Sequence, residues 1–187
     1  MAEPRPAGGD ELRLHLLVLR CQAGDDRAFA ELHSRFAGPS LRYLKGLVDE
    51  DAEDVHQDLW LTIYRRIRGL SNPRAFRTWL FQATRHRAID TLRRRKRERD
   101  LLQDVSLEAM ADDAPEEPEQ HPALDDPGLA GVIRELAPAQ REVLLLRFQD
   151  DMSYAEIALV IGCSIGTVKS RLHHAKRRLS ELKGELQ

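Results

Sequence analysis

From Asp100 to Asp126 the chain has no lysine or arginine, while carboxylates are numerous. Within this stretch, ADDAPEEPEQHPALDDPG is rich in Pro, Asp and Glu and poor in large apolar side chains. Too little apolar surface is available there to offset the entropy lost on ordering. The composition predicts a disordered or extended linker over 100–127. It divides the chain into segments at 11–99 and 128–187, preceded by MAEPRPAGGD, which reads as a frayed tail over 1–10.

The charge follows this division. Between Arg85 and Arg99 eight basic residues stand against Asp90 and Glu98, so the formal net charge of −2 hides strong local fields. Two cysteines, Cys21 and Cys163, do not make a disulfide framework, and suit a reducing cytoplasm as small buried or half-buried thiols. No apolar run approaches the ~18 residues of a membrane span, and the tail lacks the apolar core of a signal peptide. The expected class is all-α, since neither segment shows a strand pattern or a repeat.

The clearest local signals lie in SYAEIALVIGCSIGTVKSRLHHAKRRL. Ser153 and Glu156 form an S-x-x-E capping box, which opens a short helix carrying Ile157, Ala158 and Ile161. Gly162 permits a tight turn, and Ser164 can cap a second helix. There Val168, Leu172, Ala175, Leu179 and Leu182 form a one-sided apolar stripe. Lys169, Ser170, Arg171, His173, His174, Lys176, Arg177 and Arg178 fall outside it. A capped helix, a glycine turn and a basic second helix make a helix-turn-helix, whose second helix enters the major groove. Arg and Lys there reach guanine edges or neutralise phosphate.

A zinc site at Cys163, His173 and His174 fails on geometry. Adjacent helical side chains diverge by about 100°, and no C-x-x-C or H-x-x-x-H spacing is present. No metal or other cofactor is expected.

The N-terminal segment reads as a helical bundle. Asp10 can cap a helix containing Leu12, Leu16 and Leu19, ended by Gly24. Asp25 or Asp26 can cap the next, with Phe29, Leu32 and Phe36 inward until Gly38-Pro39 interrupts it. A third run holds Leu41, Leu44, Leu47 and Val48. A fourth has Ala52, Val55, Leu59, Ile63 and Ile67 as core positions. Its leading acids, Asp49 to Asp54, suit a helix N-terminus better than a convergent two-metal site. Asp54, Gln57, Asp58 and Leu61 remain on its outer face, as solvated surface or protein interface.

After GLSNP, with Pro73 suited to a first turn, comes RAFRTWLFQATRHRAIDTLRRRKRER. Phe76, Leu80 and Ala83 make an inward stripe with Trp79 beside it, and beyond Arg85 the pattern rotates toward Ile89 and Leu92. Interleaved rings and arginines suit single-stranded nucleic acid, where bases stack and cations track phosphates. A buried Trp in a bundle with a solvated basic tail is the plainer alternative.

Three stretches, DAEDVHQDLWLTIYRRI, FRTWLFQATRHRAIDTLRRRKR and LAPAQREVLLLRFQDDMSYAEIALVIGCSIGTVKSRLHHAKRRL, resemble regions two and four of bacterial sigma factors of the compact extracytoplasmic-function group. The resemblance covers nearly all of the chain outside the tail and linker. It implies two helical domains, region 2 at 11–99 and region 4 at 128–187, with core RNA polymerase and promoter DNA as partners. By this resemblance Asp54, Gln57, Asp58 and Leu61 would face the beta-prime clamp helices. Asn72, Arg74, Arg77, Trp79, Arg85 and His86 would recognise and open the minus-ten element. Lys169, Ser170, Arg171, His173, His174, Lys176 and Arg177 would serve the minus-thirty-five element, and the same domain would meet the beta flap. The linker would thread toward the RNA exit path. An anti-sigma factor is a further partner the resemblance raises.

Two departures bear on base preference: His86 stands where the family commonly has asparagine, and His174 where it often has arginine. A free-standing helix-turn-helix regulator is the alternative in another class. It is disfavoured because the N-terminal segment lacks the strand-helix alternation of a receiver domain. An enzyme is disfavoured by the lack of a convergent catalytic set.

Overall fold

The computed structural model describes residues 7–48, 51–103, 133 and 135–185; the linker reading, and Asp49 and Glu50, lie outside the described residues. Seven helices are seen among them: α1 (Ala7–Gln22), α2 (Asp26–Lys45), α3 (Ala52–Arg66), α4 (Phe76–Gln103), α5 (Pro138–Phe148), α6 (Tyr154–Ile161) and α7 (Ile165–Glu185). Two 3₁₀ turns, Ile67–Gly69 and Pro73–Ala75, join α3 to α4. No strand is present among the described residues.

Helices α1 to α4 pack as a bundle around Leu17, Val18, Leu32, Phe36, Leu59, Trp60, Ile63, Phe76 and Leu80, all buried. Asp25 caps α2 by accepting from the backbone N–H groups of Arg27 and Ala28, each at 3.0 Å. Gly24, at φ +89°, makes the preceding turn in the left-handed region. Cys21 is buried, and that burial pushes its thiol up to about 11.

Several local expectations are corrected by packing. Helix α1 begins at Ala7, so Asp10 does not cap it and instead accepts from Arg35 Nη2 at 2.9 Å. Its inward residues are Leu14, Leu17, Val18 and Cys21, whereas Leu12, Leu16 and Leu19 are 57%, 53% and 42% exposed. Two apolar stripes share this helix, and periodicity alone selects neither.

Pro39 does not interrupt α2, which runs through it to Lys45. A proline inside a helix costs about 3 kcal/mol. Here Phe36, Tyr43 and Leu44 are buried on both sides of it, and core packing outweighs that cost.

Asp51 makes no side-chain cap to α3 but accepts from Arg95 Nε at 2.8 Å, tying α3's start to α4. The inward line of α4 does not rotate either. It continues through Thr84, Ala88 and Thr91, small or hydrogen-bonded residues, while Leu92 is exposed. Thr84 Oγ1 donates to Leu80 O at 2.9 Å, which satisfies the hydroxyl in the core. Helix α4 also extends to Gln103, past the expected domain limit at 99.

The C-terminal helices form as anticipated. The Ser153–Glu156 box is reciprocal: Ser153 N donates to Glu156 Oε2 at 2.8 Å and Glu156 N to Ser153 Oγ at 3.2 Å. Gly162 takes φ +74°, and Ser164 Oγ accepts from Thr167 N at 3.0 Å to cap α7. Val168, Leu172 and Ala175 are buried and Leu179 packs on the cluster that contains Ala175, while the side chain of Leu182 lies outside the described residues.

These helices also pack on the bundle. Tyr43 of α2 and Phe81 of α4 share one core with Val143, Leu145, Leu146, Ile157, Val160 and Leu172, their rings 5.4 Å apart. Glu142 enters this contact 6% exposed, accepting from Tyr43 Oη at 2.8 Å and Arg85 Nε at 2.7 Å. Burial, followed by the Glu142 charge, raises the Tyr43 phenol well above its usual range. Removing one partner of a buried pair leaves an uncompensated charge, a loss of about 3–5 kcal/mol.

Asp150, at the turn between α5 and α6, is also buried, and its Oδ2 has no hydrogen-bond partner among the described residues. Burial pushes its carboxyl up from 3.8 to about 7; Arg42 and Arg77 oppose this shift, and Asp151 adds to it. A carboxyl raised in the folded state stabilises below its unfolded pKa, and that contribution is lost as pH rises through about 7. Asp150→Asn should therefore raise the melting temperature more at pH 8 than at pH 5. Melting curves at the two pH values check this; an equal shift at both would contradict a protonated, buried Asp150.

Candidate nucleic-acid and partner interfaces

On α3 the spacing of Asp54, Gln57, Asp58 and Leu61 places all four on one exposed face. Residues at i, i+3, i+4 and i+7 share a side of a helix, and the core takes the other through Ala52, Leu59 and Ile63. Beside this face runs a groove of about 390 Å³ walled by Phe29, His33, His56, Gln57, Trp60, Leu61 and Tyr64. Leu61 and Tyr64 are 50% and 45% exposed.

The groove's floor is built from aromatic contacts. Phe29 meets Tyr64 edge-on at 4.9 Å and Trp60 at 6.0 Å. Trp60 Nε1 donates to His56 Nε2 at 2.9 Å, so that nitrogen is an acceptor and the imidazole is neutral. Burial, then the neighbouring His33, lowers the His56 pKa in the same sense. Such an apolar trough with a carboxylate rim fits a helical protein partner with basic and apolar side chains. Local pattern does not mark these aromatics as a site: Phe29 has the spacing of a core residue, and Trp60 and Tyr64 lie off the inward period of α3.

The second set surrounds the start of α4. Gln22 Nε2 donates to Ile67 O at 3.0 Å and Leu70 O at 2.8 Å, clamping the loop that leads to Asn72. Asn72 is exposed and caps the second 3₁₀ turn, its Oδ1 accepting from Arg74 N at 3.1 Å. Arg74 is exposed, its Nε 3.2 Å from His15 Nδ1. Trp79 is half-buried with its ring 6.1 Å from Phe76, so it serves the core as well as the surface. His86 is exposed. Arg77 and Arg85 are half-buried and paired with C-terminal carboxylates: Arg77 Nη1 lies 3.8 Å from Glu156 Oε1, and Arg85 is held by Glu142. Nothing local links Arg85 to a residue 57 positions away, so the periodicity of either segment carries no sign of these partners.

On α7, Lys169, Ser170, His173, His174, Lys176 and Arg177 are exposed and Arg171 is half-buried. They surround the helix opposite its buried stripe. The His173 and His174 rings meet edge-on at 5.8 Å, and no group of three metal-ligating side chains is found among the described residues. Lys176 Nζ lies 5.2 Å over the exposed Phe148 ring, and Arg177 Nε lies 3.6 Å from Glu181. Exposed pairs of this kind contribute little and exchange readily for phosphate. No described helix is long and apolar enough to cross a membrane.

The chain's relatives share both halves. Residues 32–98 match the model for sigma-70 region 2, and residues 129–179 that for sigma-70 region 4. The ECF RNA polymerase sigma factor RpoE of Cereibacter sphaeroides is 32% identical over 84% of this chain and 87% of that protein. The RNA polymerase sigma-E factor of Streptomyces antibioticus is 34% identical over 84% of this chain and 86% of its own. Among solved structures, CnrH in complex with the cytosolic domain of CnrY aligns with a TM-score of 0.66 at 25% identity, covering 92% of this chain and 97% of that one. RpoE with the anti-sigma factor NepR from Bartonella quintana aligns with a TM-score of 0.68 at 27% identity, covering 83% and 96%. With both conserved regions in order and such relatives along most of its length, this chain belongs to the extracytoplasmic-function group of the sigma-70 family, the initiation factors that direct RNA polymerase to promoters.

Proposed function

We propose that the chain works in the cytoplasm as two domains and a linker, divided as the sequence suggests at 11–99, 100–127 and 128–187. Region 2 would bind core polymerase through Asp54, Gln57, Asp58, Leu61 and the adjoining groove, meeting the beta-prime clamp helices. The observation that carries this reading is the coincidence of that acidic rim with exposed Leu61 and Tyr64 on one face.

The α4 start and its preceding loop would recognise and open the minus-ten element. Unstacking a base costs a few kcal/mol, so the opened strand needs a surface that compensates. Asn72, Arg74, Arg77, Arg85 and His86 supply polar and cationic groups there, and Trp79 a ring that is partly accessible. Helix α7 would read the minus-thirty-five element with Lys169, Ser170, Arg171, His173, His174, Lys176 and Arg177, region 4 also meeting the beta flap. No group of these residues forms a catalytic set, and the role is that of a factor that positions and opens DNA. Two structural relatives are seen in complex, CnrH with the cytosolic domain of CnrY and RpoE with the anti-sigma factor NepR, which supports an anti-sigma partner for this chain too.

Run-off transcription with purified core polymerase and a promoter library tests the reading as a whole: the chain should make no specific transcript without core. Reversing both Asp54 and Asp58 to Lys should weaken the complex with core by placing cations on the assigned face. Undiminished co-purification of that variant with core would reject the face. Arg171→Ala should cost about 1–3 kcal/mol in region 4 binding if it reads a base, with a loss that varies with sequence. Binding curves on several duplexes distinguish this from a uniform loss, which would assign Arg171 to phosphate. His86→Ala should leave core binding intact and reduce permanganate-reactive thymines at duplex promoters. A normal footprint from that variant would remove His86 from the opening surface.

A further inference from the structure

Two side chains of α1 hold the loop that carries Asn72 and Arg74. His15 and Gln22 are two helical turns apart, so they stand one above the other on a single side of α1. That side lies between the buried line through Leu14 and Val18 and the exposed leucines, and α1 packs there on both 3₁₀ turns. Gln22 Nε2 fixes the loop where it leaves α3, by its two bonds to Ile67 O and Leu70 O. His15 meets the loop where it enters α4: Arg74 Nε donates to His15 Nδ1 at 3.2 Å. His15 and Gln22 are both half-buried, and Leu70 and Phe76 anchor the loop in the core of the bundle.

The His15 contact decides which part of Arg74 is left for a ligand. A guanidinium has a single N–H at Nε, and its other donors are on the two terminal nitrogens. With Nε committed to His15, Nη1 and Nη2 remain as a planar pair, the arrangement that meets O6 and N7 of a guanine. Because Nδ1 accepts, the ring proton is on Nε2 and the imidazole is neutral, so His15 orients Arg74 without repelling it. Asn72 is held from the same turn: its Oδ1 accepts from Arg74 N at 3.1 Å, which leaves its amide N–H groups for a ligand. An exposed arginine that is free to rotate loses that freedom on binding, and one already held loses less.

We propose that α1 is the positioning element of the minus-ten loop: His15 aims the Arg74 fork at one base of the opened strand, and Gln22 sets the position of the loop backbone. The proposal rests on the reading of that loop as part of the minus-ten surface, and adds two residues that act without touching DNA. His15 works through Arg74, and Gln22 through the carbonyls of Ile67 and Leu70 that flank the approach to Asn72. Base preference at the position that Arg74 reads then depends on a side chain 59 positions earlier in the chain.

The test uses the full chain in complex with core polymerase, and single-stranded minus-ten oligonucleotides carrying each base in turn at every position. His15→Leu removes the acceptor, His15→Asn puts one back on a shorter side chain, and Arg74→Ala removes the fork. Helical circular dichroism and core binding should be unchanged in all three. His15→Leu should lower affinity for the preferred oligonucleotide about three- to tenfold, the effect of one hydrogen bond. It should also flatten the preference at the same single position as Arg74→Ala, and His15→Asn should keep that preference. In a double-mutant cycle, adding His15→Leu to Arg74→Ala should cost nothing further. Gln22→Leu should likewise weaken binding in the wild-type background and much less in Asn72→Ala. An equal loss from His15→Leu on every oligonucleotide, or losses that add in the cycle, overturns the proposal. If Arg74→Ala flattens a preference and His15→Leu does not, the loop remains the minus-ten surface and the positioning role falls. If Arg74→Ala itself changes nothing, the reading of Arg74 as a minus-ten contact falls and takes the proposal with it.

Discussion

Glu142 is the residue on which the arrangement of this molecule turns. A carboxylate in a dry contact is tolerated only with its partners in place, and both Tyr43 and Arg85 come from the other half of the chain. Two small helical units are thereby joined by a directional polar contact inside an apolar one. The apolar part, around Tyr43, Phe81 and Leu145, supplies most of the attraction, and the charge pair fixes the register.

A contact of this kind explains why basic residues of α4 differ in environment. Arg74 and His86 face solvent, whereas Arg77 and Arg85 are drawn toward Glu156 and Glu142. The same guanidinium that suits phosphate also suits a carboxylate, because both accept paired N–H donors. Region 4 therefore engages two guanidinium groups of α4 through its own carboxylates. Asp150 lies among the same charges: burial raises its carboxyl to about 7 against the pull of Arg42 and Arg77, and its Oδ2 has no hydrogen-bond partner among the described residues.

The exposed acidic face of α3 shows a different principle. Its acids and Leu61 stand on a regular helical period, while the groove beside them is assembled from α2 and α3 together. Phe29 and Tyr64 are 35 positions apart in sequence but touch edge-on at 4.9 Å. Neutral His56, accepting from Trp60, closes the groove's inner wall without a charge. An apolar trough with an acidic margin gives both attraction and orientation to a docking helix.

The sequence alone determined the helical class, the capping box at Ser153, the turn at Gly162, the cap at Ser164 and the stripe through Val168, Leu172 and Ala175. All of these depend on residues within four or so positions of one another, where helix geometry leaves few alternatives. It also carried the exposed period of Asp54, Gln57, Asp58 and Leu61, and the motifs of the sigma family. Tertiary structure decided between the two stripes of α1, carried α2 through Pro39 and continued the inward line of α4 with Thr84 and Ala88. In each case the local pattern admitted two answers, and burial against other helices chose one. It alone brought Glu142 to Tyr43 and Arg85, and Leu145 to Gly46. Contacts between residues tens of positions apart leave no mark on local periodicity, because the energy that selects them exists only once both surfaces are formed.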